Sequence, residues 1–330
     1  MYDMKDTDFL FLTAMLRARE TFMLSSEKIN RMLEARDFDD AAKQLTDCGY
    51  SDMSGMDAGR IESVLQKHRA DVYYELSSYV NTRGLIDLFR MKYDYHNVKV
   101  LVKAAGSGTE ASSMLSSSGR VAPDILAEAF TTGERSDIPP PVAESMASAS
   151  GVLSRTGNPQ LSDIEIDKAY FGELLSLSVS LEDDFITGYV RLLIDSANLR
   201  ILVRSVRTRR DVNFLSMALI PGGSVGIDRL EAAFAENSLA AFSGGALENA
   251  AKLGEESMKG GTQTQFELAC DNAALQYFDG TMFISFGPAP VFAYLAKLEW
   301  EITAVRMILT GKLTDISADV IRERLRECHV

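Results

Sequence analysis

Residues 90–101 read RMKYDYHNVKVL, residues 191–202 read RLLIDSANLRIL, and residues 297–308 read KLEWEITAVRMI. One grammar underlies all three. A base (Arg90, Arg191, Lys297) is followed four residues later by an acid (Asp94, Asp195, Glu301). Three residues on stands Asn97, Asn198 or Ala304. A second base (Lys99, Arg200, Arg306) comes two residues after that, and then an apolar run. The copies start 101 and 106 residues apart. Base and acid four apart share a helix face. The apolar residues between them recur at spacings of three and four, so each copy is expected to be a helix with a polar stripe on an apolar body. Burying such charges costs free energy unless every partner is satisfied. The stripe therefore either ties each unit together internally or lines a surface that meets a partner.

Outward from the motif, other pairs keep nearly one offset. Gly119-Arg-Val-Ala-Pro-Asp124 parallels Gly223-Ser-Val-Gly-Ile-Asp228, 104 residues on. Glu128-Ala-Phe130 parallels Ala232-Ala-Phe234, and Asp167-Lys-Ala169 parallels Asp271-Asn-Ala273, at the same spacing. Several matches at one offset imply three related helical units. The expected division is 1–107, 108–211 and 212–330, the last with a C-terminal tail. The period is far longer than the roughly 20–50 residues of solenoid repeats, so three lobes are expected and not a stacked rod.

Helical periodicity covers 5–24, 26–36, 57–80, 85–105, 162–179, 181–207, 263–278 and 288–310, and no stretch alternates as a strand does; the fold class is all-α. Ser162 with Glu165 and Ser180 with Asp183 have capping-box spacing. Pro288 suits a first helical turn, and Gly106 and Gly311 stand where helices are expected to end. Loops are expected at 106–113, 131–142, 155–160, 221–226 and 254–262.

Composition narrows the function. The 330 residues are 46% hydrophobic and 25% charged, enough to bury a sizeable core, and the net charge is −13, which opposes general binding to nucleic acid or anionic lipid. No apolar run is long enough for a transmembrane helix. The acidic start MYDMKDTDF does not read as a signal peptide. Cys48, Cys270 and Cys328 are few, odd in number and far apart, as free thiols in a reducing compartment would be. Thr310-Gly311-Lys312 lacks the glycine and the hydroxyl residue of a phosphate loop, Arg306 and Leu313 standing there instead. Gly222-Gly223-Ser-Val-Gly226 follows no strand and reads as a loop. His68, His96 and His329 form no ligand pair. Glu182, Asp183 and Asp184 read as acids at a helix N-terminus. Catalytic residues, metal ligands, cofactors and direct nucleotide contacts are therefore not expected. Two surfaces invite binding. Arg200, Arg204, Arg207, Arg209 and Arg210 concentrate positive charge beside a helix end, and Met282-Phe-Ile-Ser-Phe286 to Phe292 is apolar and broken by proline.

The stretch from Leu88 through Asp94, Asn97 and Lys103 resembles the signature helix of the C subunits of V-type and archaeal A-type rotary ATPases, the family to which the eukaryotic d subunits belong. Asp167-Lys-Ala-Tyr-Phe171, Asp195-Ser-Ala-Asn198-Leu-Arg200 and Arg306-Met-Ile-Leu-Thr-Gly311-Lys312 are similar too. The resemblance implies a funnel of three helical lobes with pseudo-threefold symmetry and no catalytic site. It implies a connector on the cytoplasmic side of the membrane, peripheral to it, seating the shaft made by the D and F subunits and resting on the membrane rotor ring. In that role the chain transmits torque in ATP-coupled proton or sodium transport. A free-standing helical scaffold outside any ATPase is the alternative. Ala304, where the other copies have asparagine, departs from the pattern and sets the third unit apart.

Overall fold

The computed structural model describes residues 9–79 and 83–326, and these are helical with no strand among them. In chain order the helices are α1 (Leu10–Glu20), α2 (Ser26–Glu34), α3 (Phe38–Lys43), α4 (Ala58–Ser77), α5 (Arg83–Ser107), α6 (Pro123–Thr132), α7 (Pro140–Thr156), α8 (Pro159–Ser180), α9 (Asp184–Arg207), α10 (Val212–Ala218), α11 (Ile227–Glu236), α12 (Glu248–Met258), α13 (Gln263–Gln276), α14 (Pro288–Leu313) and α15 (Ala318–Arg322). Residues 5–8 of the first expected helix, Val80 of the third, the acidic start through Asp8, Cys328 and His329 lie outside the described residues.

The described residues form two compact units. One is built on Asp87–Gly244 with Met258–Gly260, and the other joins the N-terminal part through Ile86 with Gly245–Ser257 and the C-terminal part from Gly261. In the first unit α7 and α8 form a close hairpin and α9 packs on α8, α10 and α11. In the second, α14 packs on α1, α3 and α4, so elements from opposite ends of the sequence share one core. The cause is in the composition of α14. Every residue from Pro288 to Ala296 is buried, as are Ile302, Val305, Ile308 and Leu309 further on. A helix apolar on all sides must be covered on all sides. Each such large side chain contributes about 1.5–3 kcal/mol relative to exposure.

Helix starts follow local chemistry. Asp37, Asp57, Asp183 and Asp211 each cap a helix by accepting a hydrogen bond from the backbone N–H three residues on, an arrangement worth about 1 kcal/mol apiece. Pro123, Pro140, Pro159 and Pro288 open helices, where a missing N–H costs nothing.

Several expectations are corrected. Ser162 does not cap a helix: α8 starts three residues earlier, capped by Asn158, and the Ser162 hydroxyl donates to Ala149 O at 3.0 Å across the hairpin. Ser180 ends α8, and Asp183 itself caps α9. Gly106 and Gly311 lie inside helices. A Cβ on Gly106 would come within 2.8 Å of Leu153 Cδ2, and one on Gly311 within 2.5 Å of Ile321 Cδ1, so both permit close packing and neither acts as a cap. The expected loop at 254–262 begins late, since α12 runs to Met258 with Gly254 buried.

Candidate functional site

On α5, Asp94 and Asn97 lie one turn apart and are fully buried. The loop after α5 closes over them. Asn97 donates from Nδ2 to Ser116 O at 2.8 Å and accepts from Ser116 N at 2.7 Å, so one side chain satisfies both backbone groups of a buried residue. Asp94 accepts from Val121 N at 3.1 Å and from Arg120 Nε at 2.6 Å. Arg120 also grips Glu173 of α8 with two N–H groups at 2.7 and 3.1 Å, and the Tyr95 hydroxyl donates to the same carboxylate at 2.7 Å. Arg90 donates from Nε to Gly119 O at 3.1 Å. A Cβ on Gly119 would collide with Asp94 Oδ1, so only glycine lets the loop lie this close. Lys99 reaches Asp167 of α8 at 2.6 Å.

The α9 copy repeats the backbone geometry. Asn198 exchanges two bonds with Ile220, both at 2.8 Å. Asp195 accepts from Ser224 N at 3.0 Å and Val225 N at 3.1 Å, and Gly223 stands against it as Gly119 does against Asp94. Ser224 replaces Arg120, so no guanidinium enters. Arg191 is exposed, and its charge favours the ionised Asp195 through space. Arg200 donates to Ser196 Oγ at 2.6 Å.

The α14 copy is closed from elsewhere in the chain. Glu301 accepts from Leu24 N at 2.6 Å and from the Tyr50 hydroxyl at 2.8 Å. Lys297 pairs with Glu20 at 3.0 Å, and Arg306 grips Glu62 of α4 through two bonds at 2.7 and 3.0 Å. Nearby, Glu299 takes a bond from Arg69 at 2.7 Å and another from the Tyr73 hydroxyl. Ala304 is buried.

Burial pushes the Asp94, Asp195 and Glu301 carboxyls above their ordinary range, and their hydrogen bonds pull back against it. Burial also lifts the Tyr50 phenol well above its usual value, with the neighbouring Glu301 charge adding to the effect. Each acid has its oxygens committed to N–H or O–H donors of the fold. A carboxylate so engaged holds the chain segments that donate to it in place. Of the sequence-derived candidates, Asp94, Asn97, Asp195, Asn198 and Glu301 are therefore internal clamps. Arg90, Lys99, Arg200, Lys297 and Arg306 are half-buried, and Arg191, Arg204 and Arg207 are exposed. The Arg120–Glu173–Tyr95 cluster escaped the sequence reading because Arg120 is not repeated. Leu24 and Tyr50 carried no signal at all. His96 is exposed. Among the described residues no group of three His, Cys, Asp or Glu side chains could hold a metal ion, and no helix is long and apolar enough to cross a membrane.

Comparison with known proteins agrees over nearly the whole chain. The C subunit of the V-type sodium ATPase of Enterococcus hirae is 21% identical, with 96% of this chain and 98% of that protein covered. The C subunit of the A-type ATP synthase of Thermococcus kodakarensis is 26% identical, covering 98% of this chain and 92% of its own. The family model described as ATP synthase (C/AC39) subunit matches residues 12–324, and the chain belongs to that family.

Proposed function

We propose that the chain is a non-catalytic connector in the central stalk of a rotary ATPase, joining the shaft made by the D and F subunits to the membrane rotor ring and passing torque between them. The observation that carries this reading is the internal use of the repeated charges. Carboxylates and asparagines that could have served chemistry instead bolt loops to long helices. Torque transfer needs stiffness, and densely packed helices whose buried motif acids and asparagines are hydrogen-bonded supply it. Three related modules around an axis, in the funnel that the family resemblance implies, would suit a rotating part. The modules are counted near 1–107, 108–211 and 212–330, each carrying one motif helix. The chain would sit on the cytoplasmic face of the membrane as a peripheral component of the complex.

Two surfaces fit the contacts such a part needs. Met282 and Phe283 are 66% and 82% exposed beside half-exposed Phe286, an apolar tip suited to burial against another protein of the complex. Arg204 and Arg207 at the end of α9 offer charge to an acidic partner. Affinity purification of the tagged chain from its host at low salt in mild detergent tests the proposal. Recovery of the ATPase head and ring proteins is expected, with loss of the ring when Phe283→Asp and Met282→Asp are combined. Recovery of the folded chain alone would favour a free-standing scaffold.

A further inference from the structure

Between α8, α9 and α10 lies a cavity of about 490 Å³ whose lining residues all belong to the 87–244 unit. Small-molecule sites occupy about 300–1,000 Å³ and are mostly apolar with a few charged groups. This cavity has that character. Phe171, Ile201 and Phe214 supply apolar surface. Four cations, Lys99, Arg200, Arg204 and Arg210, line it against two carboxylates, Asp163 and Asp167, a net of +2 in a chain of net charge −13. Both carboxylates are held by lysines: Asp167 by Lys99 at 2.6 Å and Asp163 by Lys103 at 2.7 Å.

The arginines are placed in advance. Arg210 donates to Gln160 at 2.9 Å and its guanidinium lies 4.7 Å from the centre of the Phe214 ring. Arg200 is fixed by Ser196. Groups already ordered lose little freedom when a ligand arrives, and guanidinium forks match carboxylates in two-point bonding. We propose that this cavity binds a small aromatic carboxylate, with the anion against Arg200 and Arg204 and the ring against Phe171 and Phe214. The site needs no other protein, and it adjoins the α9 clamp through Ile220, the residue that Asn198 holds. It gives a part without chemistry of its own a means of sensing a metabolite.

Calorimetric titration of the full chain with 1-naphthoate, and in parallel with neutral 1-naphthalenemethanol, tests the proposal. Saturable 1:1 binding of the naphthoate is expected, with a negative heat-capacity change from apolar burial and weakening at high salt. The alcohol is expected to bind at least tenfold more weakly. Arg204→Gln and Phe214→Ala should each weaken naphthoate at least tenfold, and Arg229→Gln, outside the cavity, should leave it unchanged. Should Phe214→Ala melt early, exposed Arg204→Gln and Arg210→Gln carry the test. No saturable binding, equal binding of the alcohol, or full affinity in Arg204→Gln would overturn the proposal. So would binding of an acidic, phenylalanine-containing peptide where naphthoate fails, which would mark the cavity as a protein-docking site.

Discussion

Asp94 and Asp195 occupy equivalent turns of α5 and α9 and hold equivalent loops, yet different partners stand behind them. At Asp94 a guanidinium enters the site and links the aspartate to Glu173 on α8. At Asp195 the donors are the two loop N–H groups given above together with the neutral Ser224 hydroxyl, and no cation enters. The asparagine bonds and the glycine contacts are the same in both. The comparison separates what the clamp requires from what one copy has added. The requirement is an asparagine that pairs with a buried backbone residue, an acid over the next turn, and a glycine where the loop passes. The salt bridge is an elaboration.

That difference can be broken most sharply at Arg120. Arg120→Met leaves buried Asp94 and half-buried Glu173 without their cation, and removing one partner of a buried pair costs about 3–5 kcal/mol. Ser224→Ala at the matching position of α9 keeps the backbone donor and should cost under about 1 kcal/mol. Urea unfolding of the two variants checks the contrast, and equal losses would show that Arg120 is not part of the α5 clamp. Next in size are Asn97→Ala and Asn198→Ala. Each strands a buried N–H and a buried C=O, for about 2–4 kcal/mol by the same measurement. The two should agree within error because the geometry agrees. Ala304→Asn is the converse case: it puts an amide into a packed apolar site and should destabilise by about 1–3 kcal/mol, restoring nothing.

How far the clamps were legible in the sequence follows from the same contrast. Asp94, Asn97 and Gly119, and their counterparts at 195, 198 and 223, stand out because clamp and loop lie within about thirty residues and recur together. The Glu301 clamp is hidden. Its donors, Leu24 N and the Tyr50 hydroxyl, are separated from it by 277 and 251 residues, and a backbone N–H leaves no mark in a sequence. The longest helices, α4, α5, α8, α9 and α14, declared themselves by period, whereas the 17-residue α7 and the shorter α6, α11 and α12 were missed. Helices α3, α10 and α15 have six, seven and five residues, too few turns for a period to show. Gly106 and Gly311 read as helix ends because close packing and capping both call for glycine, and only the neighbours Leu153 and Ile321 distinguish the two.

Smaller effects sharpen the comparison further. Gly119→Ala and Gly223→Ala each drive a Cβ into a carboxylate oxygen and should cost about 1–3 kcal/mol, checked by thermal melts. The pH response has a defined sign. Burial raises the folded-state pKa of Asp195, so between the ordinary aspartate value and that raised value the folded state binds more protons than the unfolded state. Across that window this group's contribution to stability falls as pH rises, and it is level above it. The stability of the native chain relative to Asp195→Asn should therefore decline with pH through the window, read from paired melts. A rising difference would reverse the assignment. Smallest of all, Arg191→Gln removes an exposed charge and should change stability by less than about 0.5 kcal/mol.

Hydrogen exchange at single amides puts the clamp to its most direct trial. In Asn97→Ala the Ser116 amide should exchange at least tenfold faster than in the native chain, while the Ile220 amide, held by Asn198, keeps its protection. If Ser116 exchanges as fast in the native chain as in the variant, or if Ile220 loses protection together with it, then the asparagines do not close their loops independently, and the reading of the repeat as a set of internal clamps fails.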